Sequence, residues 1–162
     1  RATNPIPNYD ERTAMPLSLE EKQAITELTA RYNFTIDHHE AEAWADTFVE
    51  DGELRVDGKT QCKGRQGRID FVNKAKSSGY KSRHWVCNML IEGEGNQARL
   101  RMYVMAIAII NGLDPYVMGE YDDTLVKIDG QWKFKVRNVS FCAGKSFTDG
   151  GLKGIPAIPR QG

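Results

Sequence analysis

The chain has 162 residues and 18.3 kDa, and its 22 basic residues balance 22 acidic ones, so the formal charge is zero and the pI about 7.0. That balance excludes the electrostatic footprint of a nucleic-acid or anionic-membrane binder. The apolar run Tyr103 to Ile110 is far short of the roughly 18 residues of a membrane span, and the length suits one domain. Cys62, Cys87 and Cys142 form neither a CxxC metal pattern nor a disulfide framework, which favours the cytoplasm. The chain begins at Arg1 rather than Met, so a removed leader stays open.

Residues 1–17 carry three prolines and no periodicity, and read as an extended arm. Ser18 with Glu21 three residues on forms a capping box, so a helix begins there. Ile25, Leu28, Tyr32 and Ile36 then recur at the spacing of one apolar stripe, which places Tyr32 on the buried side. A second helix is expected over about 40–49, with Trp44 and Phe48 four apart. Asp57-Gly58 between alternating residues predicts a two-residue hairpin turn, and "GRQGRIDFVNKAKSSG" predicts a third helix ending at Gly79.

From Arg83 onward the character changes to long strand-like runs broken at Glu94-Gly95-Asn96 and Asp129-Gly130. Helices first and a meander afterwards predict an α+β fold, a curved antiparallel or mixed sheet with three helices on its concave face. The domain is expected over 18–147, followed by a Gly/Pro-rich tail over 148–162.

This order resembles the cone-shaped NTF2-like superfamily, and within it the SnoaL-like branch that includes scytalone dehydratase, bile-acid 7α-dehydratase and hexachlorocyclohexane dehydrochlorinase. The resemblance covers about 19–147 and is carried by "LTARYNFTIDHHEAEAWADTFVEDGEL", "SRHWVCNMLIE" and "DGQWKFKVRNVSF". It implies a cone-shaped pocket lined by a first-helix tyrosine, an aspartate five residues on and a histidine at the start of a long strand; Tyr32, Asp37 and His84 hold those places. The motif "WKFKVRN" supplies Arg137 where the dehydrochlorinase has a site arginine, whereas Tyr32 stands where that enzyme has a lysine. The chain therefore follows the dehydratase pattern.

The chemistry agrees with those assignments. A histidine accepts and returns a proton near neutral pH, provided a carboxylate on one ring nitrogen fixes the tautomer. His84 is the expected base and Asp37 its orienter. Asp37 falls near the end of the first helix, where an anion meets the negative end of the dipole and costs about 0.3 to 1 kcal/mol, so a cation or donor must face it. His38 and His39 are the adjacent candidates, and His84 is the functional one. Five residues is about 140° of helix rotation, so spacing alone does not bring Asp37 and Tyr32 together. Tyr32 would polarise a carbonyl or protonate a leaving group. Arg137 would steady developing negative charge, although Lys133, Lys135 and Arg137 alternate like one solvated strand face.

Trp85, Asn88, Met102, Val104, Tyr116, Met118, Tyr121 and Phe141 are the expected substrate-binding residues, giving an apolar pocket with a few polar groups. The ligand class is a small hydrophobic steroid-, terpenoid- or polyketide-like molecule. No P-loop, GxGxxG, HExxH or GxSxG pattern occurs, so neither cofactor nor metal is expected. The leading expectation is a cofactor-independent lyase of dehydratase type. Its rivals are a proton-shuttling isomerase or cyclase and a non-catalytic binding module. An exposed outer sheet face, with the arm and tail to cover it, predicts a homo-oligomer, dimer or trimer.

Overall fold

The computed structural model describes residues 16–109 and 113–141, with the backbone alone at 108 and 113–117. The terminal arm up to residue 15, Cys142 and the tail over 148–162 lie outside them. Among the described residues three helices, α1 (Leu19–Asp37), α2 (Ala41–Ala45) and α3 (Gly64–Ser77), accompany six strands. The strands are β1 (Phe48–Val56), β2 (Lys59–Lys63), β3 (Ser82–Glu94), β4 (Gln97–Ile109), β5 (Leu113–Ile128) and β6 (Gln131–Phe141).

α1 starts where its capping residue dictates, with Ser18 Oγ accepting the Glu21 N–H at 3.2 Å. Its stripe buries Ile25, Leu28 and Tyr32. α2 is half the length expected. The chain leaves the helix after Ala45, Thr47 Oγ1 donates to the Trp44 carbonyl at 2.7 Å, and the Thr47 carbonyl already accepts from Phe134 N–H in the sheet. Trp44 and Phe48 still touch, with ring centroids 5.4 Å apart, so their spacing imitates a helix across a helix-to-strand turn. The hairpin between β1 and β2 turns at Asp57 and Gly58, both at positive φ as that turn demands.

The sheet order is β2-β1-β6-β5-β4-β3. β3 to β6 form the expected antiparallel meander, and β1 joins β6 in parallel, so the sheet is mixed and the fold α+β. α1 packs against β3 and β6, and α3 against β1 and β2. Between these layers the core centres on Tyr32, Trp44, Phe48 and Phe134, whose rings lie 5.4 to 5.9 Å apart.

Three irregularities decide which side chains face this core. In β6, Phe134 pairs with Leu125 and Val136 with Thr124, which leaves Lys135 as an extra residue. Before it Trp132 and Phe134 point inward; after it Arg137 and Val139 do. The Lys-Lys-Arg row is therefore not one face, and Arg137 is fully buried. In β3 a second bulge falls between Cys87 and Leu90. Asn88 takes φ +55 there, and the inward set shifts from Ser82, His84 and Val86 to Met89 and Ile91.

The third lies in β1, where pairing with β6 jumps between Phe48 and Glu53 and frees the carbonyls in between. Arg68 of α3, 1% exposed, takes them up: its guanidinium donates to Gly52 O at 2.6 Å, Val49 O at 3.0 Å and Glu50 O at 3.4 Å, over the Phe48 ring. Nothing in the sequence pattern marks Arg68 as buried. Gly52 is part of the same bend, since a Cβ there would lie 3.0 Å from both Phe134 O and Phe48 Cβ. Replacing Arg68 with Met leaves those carbonyls unpaired and is expected to cost about 3 kcal/mol in urea unfolding; a loss under about 1 kcal/mol would show that β1 holds its bend unaided.

Candidate active site

Asp37 is the last residue of α1, and the start of β3 runs past it. The inward alternation of β3 brings Ser82 and His84 onto its carboxylate. Asp37 Oδ2 accepts the His84 backbone N–H at 2.9 Å, and Oδ1 accepts from Ser82 Oγ at 3.3 Å and from His84 Nδ1 at 2.6 Å. Because a carboxylate only accepts, Nδ1 carries the proton and Nε2 is left as the basic nitrogen. Both side chains are largely enclosed, at 6% exposure for Asp37 and 15% for His84. Arg83 Nη1 donates to the Asp37 carbonyl at 3.3 Å and to Ser82 O at 2.7 Å, which places a cation at the C-terminal end of α1. His38, by contrast, bonds the Phe34 carbonyl at 2.8 Å through Nδ1. The neighbouring-histidine account of Asp37 is thus replaced by the β3 donors.

His84 opens onto a cavity of about 200 Å³ between the helices and the concave face of the sheet. Tyr32 and Ile36 of α1, Phe71 and Ala75 of α3, and Val104, Tyr121, Val139 and Phe141 of the sheet form most of its wall. Ser82, Tyr80 and His39 supply the polar groups beside His84. Tyr32 and Asp37 reach one site although they sit about 140° apart on the helix, because β3 and not α1 carries the histidine between them.

The expected substrate-binding residues divide. Val104, Tyr121 and Phe141 line the cavity. Met102 lies on the same face, 2% exposed, but is packed in the core beyond it. Trp85 and Met118 are corrections: strand alternation turns them to the outer face, where Trp85 is 52% exposed and pairs across to Met105, which pairs with Met118. Asn88 is a further correction, exposed in the β3 bulge. The Tyr116 side chain lies outside the described residues. Sequence reasoning passed over Phe71 and Ala75, which an i, i+4 pair on α3 would have revealed, and Ser82, for which no pattern exists.

Arg137 is not among the lining residues. Its guanidinium carbon lies 3.9 Å from the ring centroids of both Tyr32 and Tyr121 and 4.5 Å from that of Phe134. Asp123 completes the group, 3.5 Å from Arg137 and accepting the Asn138 N–H at 3.2 Å. Arg137 therefore supports the two tyrosines that face the cavity and does not itself face it. Burial, with Tyr121 adding to it, pushes the Tyr32 hydroxyl well above the ordinary phenol range against the opposing pull of Arg137, so it stays a hydrogen-bond donor. Among the described residues, no three His, Cys, Asp or Glu side chains converge to hold a metal ion.

Residues 17–138 match the SnoaL-like domain family. The chain belongs to that family. Solved structures similar to this SnoaL-like chain include a Mycobacterium tuberculosis protein of unknown function, 29% identical over 87% of this chain and 78% of the other, with a TM-score of 0.73. A Novosphingobium aromaticivorans protein whose scytalone dehydratase assignment is itself provisional is 29% identical over 76% and 85%, with a TM-score of 0.67. An NTF2-like protein with a cystatin-like fold from the same organism is 25% identical over 76% and 82%, with a TM-score of 0.69. No match is found among curated proteins. The SnoaL-like assignment and the NTF2-like architecture thus stand on sequence and shape together.

The SnoaL-like core also carries a titration signature. Burial pushes the Asp123 carboxyl up from 3.8 to about 7, outweighing the attraction of Arg137. A carboxyl whose folded value exceeds its unfolded one stabilises the protein most when protonated, and that contribution is lost as pH rises through the folded value. Urea stability is expected to fall between about pH 4 and pH 7 by no more than about 4 kcal/mol from this group. Asp123→Asn should flatten that part of the profile; an unchanged profile would assign the pH dependence elsewhere.

Proposed function

We propose that this SnoaL-like protein is a cofactor-independent lyase of dehydratase type. The observation that carries this reading is the 2.6 Å bond from His84 Nδ1 to Asp37 at the wall of an apolar cavity. His84 Nε2 removes a proton from carbon next to a ketone, Asp37 stabilises the imidazolium that forms, and the Tyr32 hydroxyl donates to the ketone oxygen as negative charge gathers there. Arg137 acts through Tyr32, as a positioning residue behind its ring. The electron pair released at carbon then expels a β-hydroxyl group.

Cavity size narrows the substrate class. An apolar cavity of about 150 Å³ accommodates benzene, so about 200 Å³ suits one or two fused rings better than a steroid. A bicyclic, polyketide-like β-hydroxy ketone fits best. This agrees in kind with the provisional scytalone dehydratase among the structural relatives. The β-hydroxy derivative of α-tetralone is a suitable probe, because loss of water aromatises it to fluorescent α-naphthol.

Wild-type protein should release α-naphthol, and His84→Ala should lower the rate by at least about 10². An unchanged rate would remove the histidine from the mechanism. Tyr32→Phe should slow the same reaction while leaving the thermal midpoint close to wild type, and a wild-type rate would make Tyr32 structural. A product of unchanged mass would replace elimination by proton shuttling, as in an isomerase or cyclase.

The reading includes a homo-oligomer. Trp85, Leu90 and Tyr103, each more than half exposed, make the outer face of β3 and β4 apolar across a width that a second copy can cover. Light scattering is expected to return a multiple of the chain mass, and Trp85→Glu should shift it toward a single chain; a monomeric wild type would contradict this.

A further inference from the structure

Of the two histidines that line the cavity, His39 is the one the mechanism above leaves unused, and its backbone is unusual. At the end of α1 the His39 N–H bonds Ile36 O at 3.2 Å and the Glu40 N–H bonds Thr35 O at 2.9 Å, the paired bonds of a Schellman ending. His39 occupies the position just past the cap, with φ +58. Glycine is the usual occupant there, because a Cβ is unfavourable in the left-handed region. A histidine held at that position gives up backbone stability that glycine would supply.

The two histidines after Asp37 are placed differently. His38 is exposed, tied to the Phe34 carbonyl and stacked on the Phe34 ring at 6.1 Å. His39 is half-buried and lines the cavity with His84, Tyr32 and Ser82. Among the described residues, no hydrogen bond or ion pair occupies its ring. A half-buried imidazole in the cavity wall, beside a second imidazole already bound to a carboxylate, can deliver a proton to the cavity in its charged form and regain it from solvent.

We infer that His39 is a second catalytic histidine, the general acid that protonates the departing hydroxyl group. The inference rests on the dehydratase reading of the site and completes its proton balance. His84 Nε2 takes the carbon-bound proton, the C–H electron pair becomes the new C=C bond, and the C–O pair leaves on oxygen. The His39 imidazolium gives that oxygen its proton, so water departs and His39 becomes neutral. The proton gained by His84 returns to His39 through solvent, restoring both.

The test uses the full chain and two readouts. The chain has three histidines, so single substitutions assign the imidazole NMR signals. Adding α-tetralone, which keeps the rings and ketone but has no leaving group, should move the signals of His39 and His84 and leave His38 unmoved. Movement of His84 without His39 overturns the inference and spares the site reading. Movement of neither overturns both. In the second readout, His39→Gly relieves the left-handed backbone, so its thermal midpoint should equal or exceed wild type while α-naphthol release falls by roughly 10². A midpoint below wild type would make His39 structural. Turnover intact in His39→Gly but lost in His84→Ala removes His39 alone, and turnover absent from the wild type removes the site reading and the inference together.

Discussion

The clasp of β3 on the Asp37 carboxylate is the constraint from which the site follows. A carboxylate at a helix C-terminus meets the negative end of the dipole, a cost of about 0.3 to 1 kcal/mol. Three donors from one strand offset it: the Ser82 hydroxyl, the His84 backbone N–H and the His84 imidazole. Hydrogen bonds to a charged acceptor contribute about 1.5 to 3 kcal/mol each, so the clasp outweighs the dipole. The same bonds lock the end of α1 to the start of β3 and select one histidine tautomer. Structural attachment and the choice of histidine tautomer are one interaction.

The bulges do the complementary work of aiming side chains. A regular β6 would carry Arg137 outward with Lys133 and Lys135; the extra residue at Lys135 turns it inward, under the rings of Tyr32 and Tyr121. A guanidinium is suited to that place because it is weakly hydrated and stacks on aromatic faces. Its charge is thereby held close to a hydroxyl-bearing pair in the cavity wall while remaining out of contact with anything the cavity holds. The bulge in β1 has the same logic at the other edge, where Arg68 replaces the missing ladder partners of three carbonyls. Each buried arginine marks a place where the sheet departs from regular pairing.

The two faces of the sheet differ in character. The concave face, with its apolar wall and few polar groups, has the form of a small-molecule site. The convex face of β3 and β4 presents Trp85, Leu90 and Tyr103 to the outside. Strand alternation connects the two, since the residues flanking His84 in sequence are the ones that must point away from it.

What was legible in the chain was local. The Ser18 capping box, the Ile25-Leu28-Tyr32 stripe, the Asp57-Gly58 turn and the runs of β3 to β6 are short-range signals, and the structure shows those elements where they were read. Tyr32, Asp37 and His84 were singled out by the resemblance to SnoaL-like dehydratases, and the cost of an anion at the end of α1 called separately for a donor facing Asp37. The length of α2, the orientations of Trp85, Asn88 and Met118, and the burial of Arg68 and Arg137 were decided only by tertiary structure. A helix-to-strand turn can imitate an i, i+4 pair, and one extra residue in a strand inverts every side chain after it. Bulges arise where neighbouring strands must bend together around a core, which is a property of the assembled sheet and of no single stretch of sequence.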